Sequence, residues 1–507
     1  MIKHLSLSQQ SALNIAGSVI VVAVNTIINF VLSPFIVSHL GVSANGYITL
    51  ANNFVSYIAL ITIALNSMCG RFILVEYRRN NMKTACEYYS SVLFGDWIIC
   101  GILLLPMLFF IIWIDRFINI SPGDIADTRI LFSLIFANYL LHLCLPQWLT
   151  AEYCTNNLYL RSIRNICAAI ARAIAIFLLY KCLTPHSYYV AVAACIMSTV
   201  SLSMDYWFYR MLMPELKIRL AYFKWDKIKA LISSGIWNSI SSCGNILLEG
   251  LDILVANLFI SPVAAGIMAL SKIVPNMINQ LSGTMATTFG PRITYLYADG
   301  NKDGMVREIC NNIHLIALLS NIPIGIFIIF GQRFFELWIP SEDSFTLTWL
   351  AICSLIGIIF TGLSQCMINV FIAVNRLKWN SLFVVFSGIV NVTCVYLCLK
   401  FTSWGIFSIV ASSSAVSILR IFLFTAPYSA YCIKVPLMSF VPSVLKGIAN
   451  IIIPLAISYA LSLLYVPVSL TALILLMIVC GVVILPADYV FALNSEQKQI
   501  VRHLVNR

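Results

Sequence analysis

The feature of this sequence that most limits its fold is a series of long apolar runs separated by short polar segments. A helix that crosses a bilayer needs about 20 mostly apolar residues, and fourteen runs meet that requirement. Charged residues make up only 10% of the chain, whereas a soluble domain has about 25%. The sequence therefore predicts an all-α polytopic membrane protein with about fourteen transmembrane helices. The predicted spans are 13–38, 46–69, 89–114, 129–151, 165–183, 187–209, 231–256, 263–289, 309–331, 346–372, 380–399, 405–426, 447–466 and 470–491.

Lysine and arginine are distributed unevenly between the two sides of the membrane. If the N-terminus is cytoplasmic, 23 of them lie in cytoplasmic segments and five lie on the opposite side. Cytoplasmic loops carry the excess of positive charge, so we expect both termini in the cytoplasm. This topology, with attraction to anionic lipid, accounts for the net charge of +11 without any binding of nucleic acid.

Signatures of catalysis and of bound metal are missing from the sequence. It has no P-loop, no zinc-protease motif, no nucleophile elbow and no Gly-rich dinucleotide fingerprint. The 16 cysteines fall mainly in apolar runs, without C-x-x-C pairs, and are expected to pack as small hydrophobic residues. We therefore expect neither an enzyme nor a cofactor, and transport driven by a gradient of ions or of the substrate itself.

The chain also repeats a motif. The segment 46–51 (GYITLA) opens the second span, and 266–271 (GIMALS) opens the eighth, 220 positions later. Arg71 closes the second span as Arg292 closes the eighth. Six spans separate the copies, so the halves share one orientation, and such parallel repeats form transporters with a central site. The predicted domains are an N-terminal lobe (1–210), a cytoplasmic linker (211–230), a C-terminal lobe (231–427), and appended helices 13 and 14 with a cytoplasmic tail (428–507).

Polar residues recur every three or four positions in the first two spans of each repeat. Such a stripe marks a helix face that meets protein or water rather than lipid. The coincidence in equivalent helices predicts a shared hydrophilic cavity, although amides of this kind also join helices by hydrogen bonds of about 0.6 kcal/mol each. The asparagines expected to line the cavity are Asn25, Asn29, Asn238, Asn245, Asn276 and Asn279.

Ionisable residues also lie inside predicted spans, where each costs about 2.5 to 3.5 kcal/mol near the helix centre. They must pair with one another or meet water. Asp96 is a candidate counter-charge for Arg172. Those with a candidate role are Asp96, Arg172, Glu249, Asp252, Lys272 and Arg420.

Spans seven and eight are expected to form an antiparallel hairpin that turns near 260–262. Residues whose numbers sum to about 521 to 524 then share a depth, so Glu249 or Asp252 faces Lys272. Two interpretations stay open, a structural ion pair and a protonatable site whose lysine also meets an anionic substrate. Under the second, the acids Glu249, Asp252 and Asp96 are the candidates for ion coupling. Pro275 lacks an N–H group and predicts a kink beside Lys272.

Short motifs in both repeats resemble those of bacterial O-antigen and polysaccharide flippases. The first is 34–41 (PFIVSHLG), followed by Gly46-Tyr47 and closed by Arg71-Phe72. The second includes 252–254 (DIL), Gly266, Lys272-Ile273 and 291–293 (PRI). The layout is similar over nearly the whole chain, within the wider multidrug, oligosaccharidyl-lipid and polysaccharide exporter superfamily.

The resemblance implies a two-lobed transporter of the bacterial inner membrane that works by alternating access. Its implied substrate is an undecaprenyl-diphosphate-linked oligosaccharide, moved from the cytoplasmic to the periplasmic leaflet. Its implied partners are this lipid-linked substrate, membrane lipids, a polysaccharide polymerase and a chain-length regulator. Cationic cavity residues in such flippases are thought to hold the diphosphate or acidic sugars, and the candidates here are Arg71, Arg172, Lys272 and Arg420.

Three other functions stay open. A cation-coupled drug exporter of the same superfamily usually has twelve spans and a more acidic cavity, and a peptidoglycan-precursor flippase usually has a more strongly cationic one. An integral-membrane O-antigen polymerase or acyltransferase is an enzyme of another class. A polymerase usually carries a large external loop and an acyltransferase a catalytic histidine, neither of which we find in this sequence.

Overall fold

A computed structural model describes residues 7–491 and Lys498, apart from the side chains of 7–12, 15, 16, 18, 19 and 291. Within this part the regular structure is entirely helical. The N-terminal residues 1–6 and, except for Lys498, the tail 492–507 lie outside the described residues. The cytoplasmic placement of both termini therefore stays a prediction.

Twenty-two α-helices follow one another along the described chain. The first eleven are α1 Leu7–Leu40, α2 Val42–Asn66, α3 Cys69–Arg78, α4 Met82–Ile112, α5 Ile114–Phe117, α6 Ile125–Cys144, α7 Leu149–Cys154, α8 Leu158–Cys182, α9 Tyr189–Leu212, α10 Trp225–Asn245 and α11 Asp252–Phe259. The others are α12 Pro262–Ser271, α13 Ile273–Thr288, α14 Gly290–Ala298, α15 Lys302–Trp338, α16 Ser344–Ala373, α17 Leu377–Phe401, α18 Phe407–Arg420, α19 Ala426–Ile433, α20 Val441–Ala449, α21 Ile452–Leu464 and α22 Leu470–Phe491. Two π-helical turns, Ile246–Gly250 and Ile421–Thr425, interrupt the α-helical hydrogen bonding.

The helices are those of a multi-pass membrane protein. In the described part, eleven are long and apolar enough to cross a membrane, and a bent pair, Trp225–Gly250 with Asp252–Phe259, would make a twelfth. The predicted count of fourteen is not reached. The fourth predicted span corresponds to α6, which carries Asp127 and Arg129 in its first turns, and the eighth is divided into α12 and α13.

The chain divides into two compact units, 1–243 with 253–266, and 244–252 with 267–507. In the first unit α8 packs against both α1 and α9, and α4 packs against α6. In the second unit α17 packs against the π-turn Ile246–Gly250 and α18, and α15 packs against α16. The helix contacts in the second unit thus correspond to those in the first unit, as expected for an internal repeat. The helices α20, α21 and α22 pack on α15. The lobe boundaries drawn from the sequence stay predictions.

The two glycines that open the repeated motif contact each other within the first unit. A Cβ atom added to Gly46 would lie 2.8 Å from the backbone nitrogen of Gly266. A Cβ atom on Gly266 would lie 2.1 Å from the carbonyl oxygen of Val42. Glycine is required at both positions because backbone atoms fill the space that a side chain would need.

The start of α16 is capped by the carboxylate of Asp343. It accepts hydrogen bonds from the backbone N–H groups of Phe345 (3.1 Å) and Thr346 (3.3 Å) and from the Thr346 hydroxyl. These bonds, above all that from the Thr346 hydroxyl, hold the pKa of Asp343 below its usual value. The carboxylate thus satisfies amide donors that the first turn of a helix leaves unpaired.

Candidate functional site

The candidate site lies where two consecutive helices are interrupted. The helix that starts as α10 passes through the π-turn and bends by 47° before α11, so Glu249 and Asp252 flank the bend. The next helix is interrupted at Lys272, between α12 and α13. Pro275 has no N–H to offer the carbonyl of Ser271, which is the reason that the sequence predicts a kink there.

An ion pair joins the two interruptions. The Lys272 ammonium binds the Asp252 carboxylate and donates a second hydrogen bond, 3.2 Å long, to the backbone oxygen of Glu249. The two side chains are 13% and 5% exposed. The hairpin register predicted from the sequence is thus correct, and Asp252 rather than the Glu249 carboxylate is the direct partner.

Two side chains that sequence reasoning missed hold this arrangement in place. Ser413 of α18 donates to the second carboxylate oxygen of Asp252 at 3.3 Å. Asn391 of α17 donates to the carbonyl of Leu248 at 2.9 Å and to Ser413 at 3.2 Å. A π-turn disturbs the regular backbone pairing, and Asn391 supplies a donor to it. The sequence signal for this cluster was the serine run 412–414 inside an apolar span.

A small cavity adjoins the ion pair. Its volume is about 30 Å³, which is room for one or two water molecules. Pockets that enclose organic ligands have volumes of about 300 Å³ or more, so in this conformation the cavity suits an ion or water rather than an oligosaccharide. The polar and charged residues that line it are Glu249, Asp252, Lys272, Asn276, Ser354, Ser413, Ser414 and Ser417.

Arg420 adds a second cation to this group. It ends α18, three residues after the cavity residue Ser417, and interacts electrostatically with Glu249. Its Nε atom is buried and has no hydrogen-bond partner within the described residues. Two carboxylates and two cations therefore balance in charge at the bend.

In the first unit, the predicted pairing of Asp96 with Arg172 is wrong. Asp96 is 2% exposed and accepts a hydrogen bond from Asn66 at 3.0 Å. Arg172 is half-buried in α8, and its Nε atom lacks a partner among the described residues. No ion pair joins the two in the described part of the chain. Arg71 is exposed in the first turn of α3.

The six asparagines expected to line a cavity fall into different environments. Asn276 lines the small cavity. Asn238 donates to Ser67 at 3.3 Å, and Asn279 accepts from Gln365 at 2.9 Å. These two asparagines therefore join helices by hydrogen bonds, which was the alternative to lining a cavity. The other three are Asn25, half-buried, and Asn29 and Asn245, both exposed.

A buried ion pair in the first unit was missed because its arginine lies just before the predicted span 165–183. Arg164 of α8 donates two hydrogen bonds to Asp205 of α9, 2.9 and 2.7 Å long. Helix α8 starts at Leu158 and so includes Arg164. The pair fixes α8 against α9 and is no part of the cavity.

Comparison with known proteins identifies the fold. No family model matches the chain. A curated relative is an uncharacterised membrane protein of Bacillus subtilis (strain 168), EpsK, which is 26% identical over 398 residues, covering 78% of each chain. Among solved structures, the lipid II flippase MurJ in an inward closed conformation matches with a TM-score of 0.66 and 13% identity, covering 96% of this chain and 100% of MurJ.

An inward-facing multidrug transporter of the MATE family, in the MOP superfamily, matches with a TM-score of 0.63 and 14% identity, covering 85% of this chain and 95% of its own. A MOP superfamily transporter from Pyrococcus furiosus matches with a TM-score of 0.57 and 14% identity, covering 87% and 96%. The chain has the fold of MOP superfamily transporters. At these identities the likeness concerns the fold alone.

Proposed function

We propose that this protein is a flippase of the bacterial inner membrane. Its proposed substrate is an undecaprenyl-diphosphate-linked oligosaccharide, an O-antigen or related repeat unit, which it moves from the cytoplasmic to the periplasmic leaflet by alternating access. Two findings support the proposal: the fold is that of MOP superfamily transporters, among them a lipid II flippase, and the sequence motifs resemble those of polysaccharide flippases. The proposed activity requires no covalent chemistry.

The observation that carries the proposal concerns two half-buried arginines inside apolar spans, one in each unit. Arg172 and Arg420 each have a buried Nε atom without a hydrogen-bond partner in the described part of the chain. A charge in a span is expensive unless it is paired, and an unmade bond to a buried donor adds to that cost. Guanidinium groups form paired hydrogen bonds with phosphate oxygens, so a diphosphate is a fitting partner for a guanidinium group of either unit.

The remaining predicted cations have different roles in this proposal. Lys272 is engaged by Asp252, whereas Arg71 is exposed near the predicted cytoplasmic end of its span, where a headgroup first arrives. We therefore propose Arg71, Arg172 and Arg420 as residues that meet the diphosphate or acidic sugars. A polysaccharide polymerase and a chain-length regulator are the proposed partners downstream.

A second candidate is a cation-coupled drug exporter of the same superfamily. The observation that favours it is Glu249, which lines the cavity, since acidic groups inside a membrane bind cationic drugs and coupling ions. The two balancing cations, Lys272 and Arg420, count against a site for cationic drugs.

A deletion strain tests the proposal. Loss of the protein is expected to leave the undecaprenyl-linked glycan on the cytoplasmic leaflet and to remove the glycan from the surface. Complementation with the wild-type gene is expected to restore export, and purified protein in liposomes is expected to move a fluorescent undecaprenyl-diphosphate glycan between leaflets.

Other outcomes of the same experiment identify the alternatives. Single unpolymerised repeats on the surface would indicate a polymerase, and unlinked sugar modifications would indicate an acyltransferase. Cell lysis with lipid II retained inside would indicate a peptidoglycan-precursor flippase. Normal surface glycan together with increased drug sensitivity would indicate a drug exporter and would reject the proposal.

A further inference from the structure

The Lys272 ammonium lies among oxygen atoms of the kind that bind a free cation in other transporters. We propose that this ammonium is a tethered counter-ion in a monovalent-cation site, so that the wild-type protein does not bind sodium there, and removal of the amine creates a sodium site. The inference does not depend on which substrate the protein moves.

The ligands around the ammonium are those of a cation site. It contacts a carboxylate oxygen of Asp252 and the backbone oxygen of Glu249, and hydroxyl and amide groups from three further helical segments line the adjoining cavity. In transporters, the carbonyls of interrupted helices coordinate sodium or protons. Here both helices that contribute to the site are interrupted, at Ile246–Gly250 and at Lys272.

The second carboxylate oxygen of Asp252 lies 3.3 Å from the Ser413 hydroxyl, whose proton is shared with the Ile409 carbonyl at 3.0 Å, and Ser413 itself accepts a hydrogen bond from Asn391. These bonds do not involve Lys272, so they would hold the carboxylate in place without the amine. The space vacated by the ammonium group would add to a cavity of about 30 Å³.

Charge balance gives the reason that a cation would enter. Asp252 binds Lys272, Glu249 interacts with Arg420, and the formal charges of the four residues sum to zero. Without the Lys272 amine, one negative charge is uncompensated inside a membrane-spanning segment. A small monovalent cation restores the balance at a point where oxygen ligands are already assembled.

The equivalent positions of the first repeat lack this ion pair. The offset of 220 relates Asp252 to Leu32, Glu249 to Asn29 and Lys272 to Asn52, none of which is charged. The corresponding helices, α1 and α2, run without interruption through these positions. The charges and the breaks therefore occur together in the second repeat, as expected if the breaks serve to present oxygen atoms to a cation.

The test is a sodium titration of thermal stability, carried out on the purified full-length chain in detergent. Sodium chloride replaces choline chloride at constant ionic strength, with lithium and potassium chloride as further salts. We expect no saturable sodium effect on the unfolding midpoint of the wild type. For Lys272→Met, which keeps the side-chain length and loses the charge, we expect the midpoint to rise with sodium in a saturable manner.

Three controls locate the effect. Lys181→Met removes an exposed lysine outside the site and is expected to show no response. Lys272→Arg keeps the tethered charge and is also expected to show none. Adding Asp252→Asn to Lys272→Met is expected to abolish the response, because the carboxylate is the main ligand.

A saturable sodium response of the wild type would overturn the proposal, and so would a folded Lys272→Met protein without any response. If Lys272→Met does not fold in choline, Lys272→Gln replaces it. If either variant folds in sodium chloride but in no other salt, the result supports the proposal. If neither variant folds in any salt, the result overturns it. Glycan export is not measured, so the result is independent of the proposed flippase activity.

Discussion

The ion pair between Lys272 and Asp252 makes a quantitative prediction for a double-mutant cycle. Asp252→Asn removes one charge and keeps an acceptor for Ser413, whereas Lys272→Met removes the other charge and keeps the side-chain length. In each single variant one charge of a nearly buried pair is left without its partner.

The magnitude follows from this burial. Removal of one partner from a buried ion pair costs about 3 to 5 kcal/mol. We expect about 3 kcal/mol for each single variant, because the nearby Glu249 and Arg420 partly compensate the remaining charge. The double variant leaves neither charge unpaired and is expected to lose no more than either single variant, so the coupling energy is about 3 kcal/mol.

The assay is reversible unfolding of the full chain in mixed detergent micelles, followed by tryptophan fluorescence in sodium-free buffer. Sodium is left out because it would stabilise Lys272→Met if a cation site forms. Additive losses, with the double variant about 6 kcal/mol less stable than the wild type, would refute the reasoning, since two independent residues add in this way.

Three further predictions concern other parts of the molecule. Gly266→Ala is expected to destabilise the protein by about 1 to 3 kcal/mol, because its Cβ would lie 2.1 Å from a backbone oxygen. The control Gly481→Ala has no atom within 4 Å of the new Cβ and is expected to leave the stability unchanged. Equal thermal midpoints of the two variants would contradict this prediction. Arg172→Gln is expected to lower glycan export at unchanged protein level, with the exposed Arg116→Gln as control; normal export would remove the role proposed for Arg172. Asp343→Ala is expected to cost about 1 kcal/mol of stability and Asp343→Asn much less. Because the folded pKa of Asp343 is lowered, its contribution is present above the ordinary pKa of about 3.9 and is lost as the pH falls through the folded value, so a loss unchanged at low pH would contradict the argument.

The hairpin and its charge pairing could be predicted because they depend on local rules. Antiparallel spans with a short turn place residues of constant number sum at one depth, which brought Asp252 to Lys272. Proline at 275 marked the interruption of the next helix through its missing N–H. These arguments need only the spacing along two adjacent helices.

Features that depend on packing between distant segments could not be predicted. Asn391 and Ser413 reach the site from α17 and α18, 143 and 161 residues along the chain from their partners Leu248 and Asp252, and no spacing rule connects them to the π-turn. The pairing of Asp96 with Arg172 failed for the same reason. The count of fourteen spans is not confirmed in the described residues, because two predicted spans do not appear as single long apolar helices there, and one of these is divided at Lys272.

The contact between Gly46 and Gly266 has a consequence for how related sequences diverge. In a duplicated chain, the two copies of a motif normally drift independently after the duplication. Here the glycine of each copy packs against backbone atoms of the other copy. A larger residue at one position would therefore be tolerated only if the backbone at the other position moved. The two positions should therefore covary among homologues. The two copies stay alike because neither position has room for a side chain, as well as because of common ancestry.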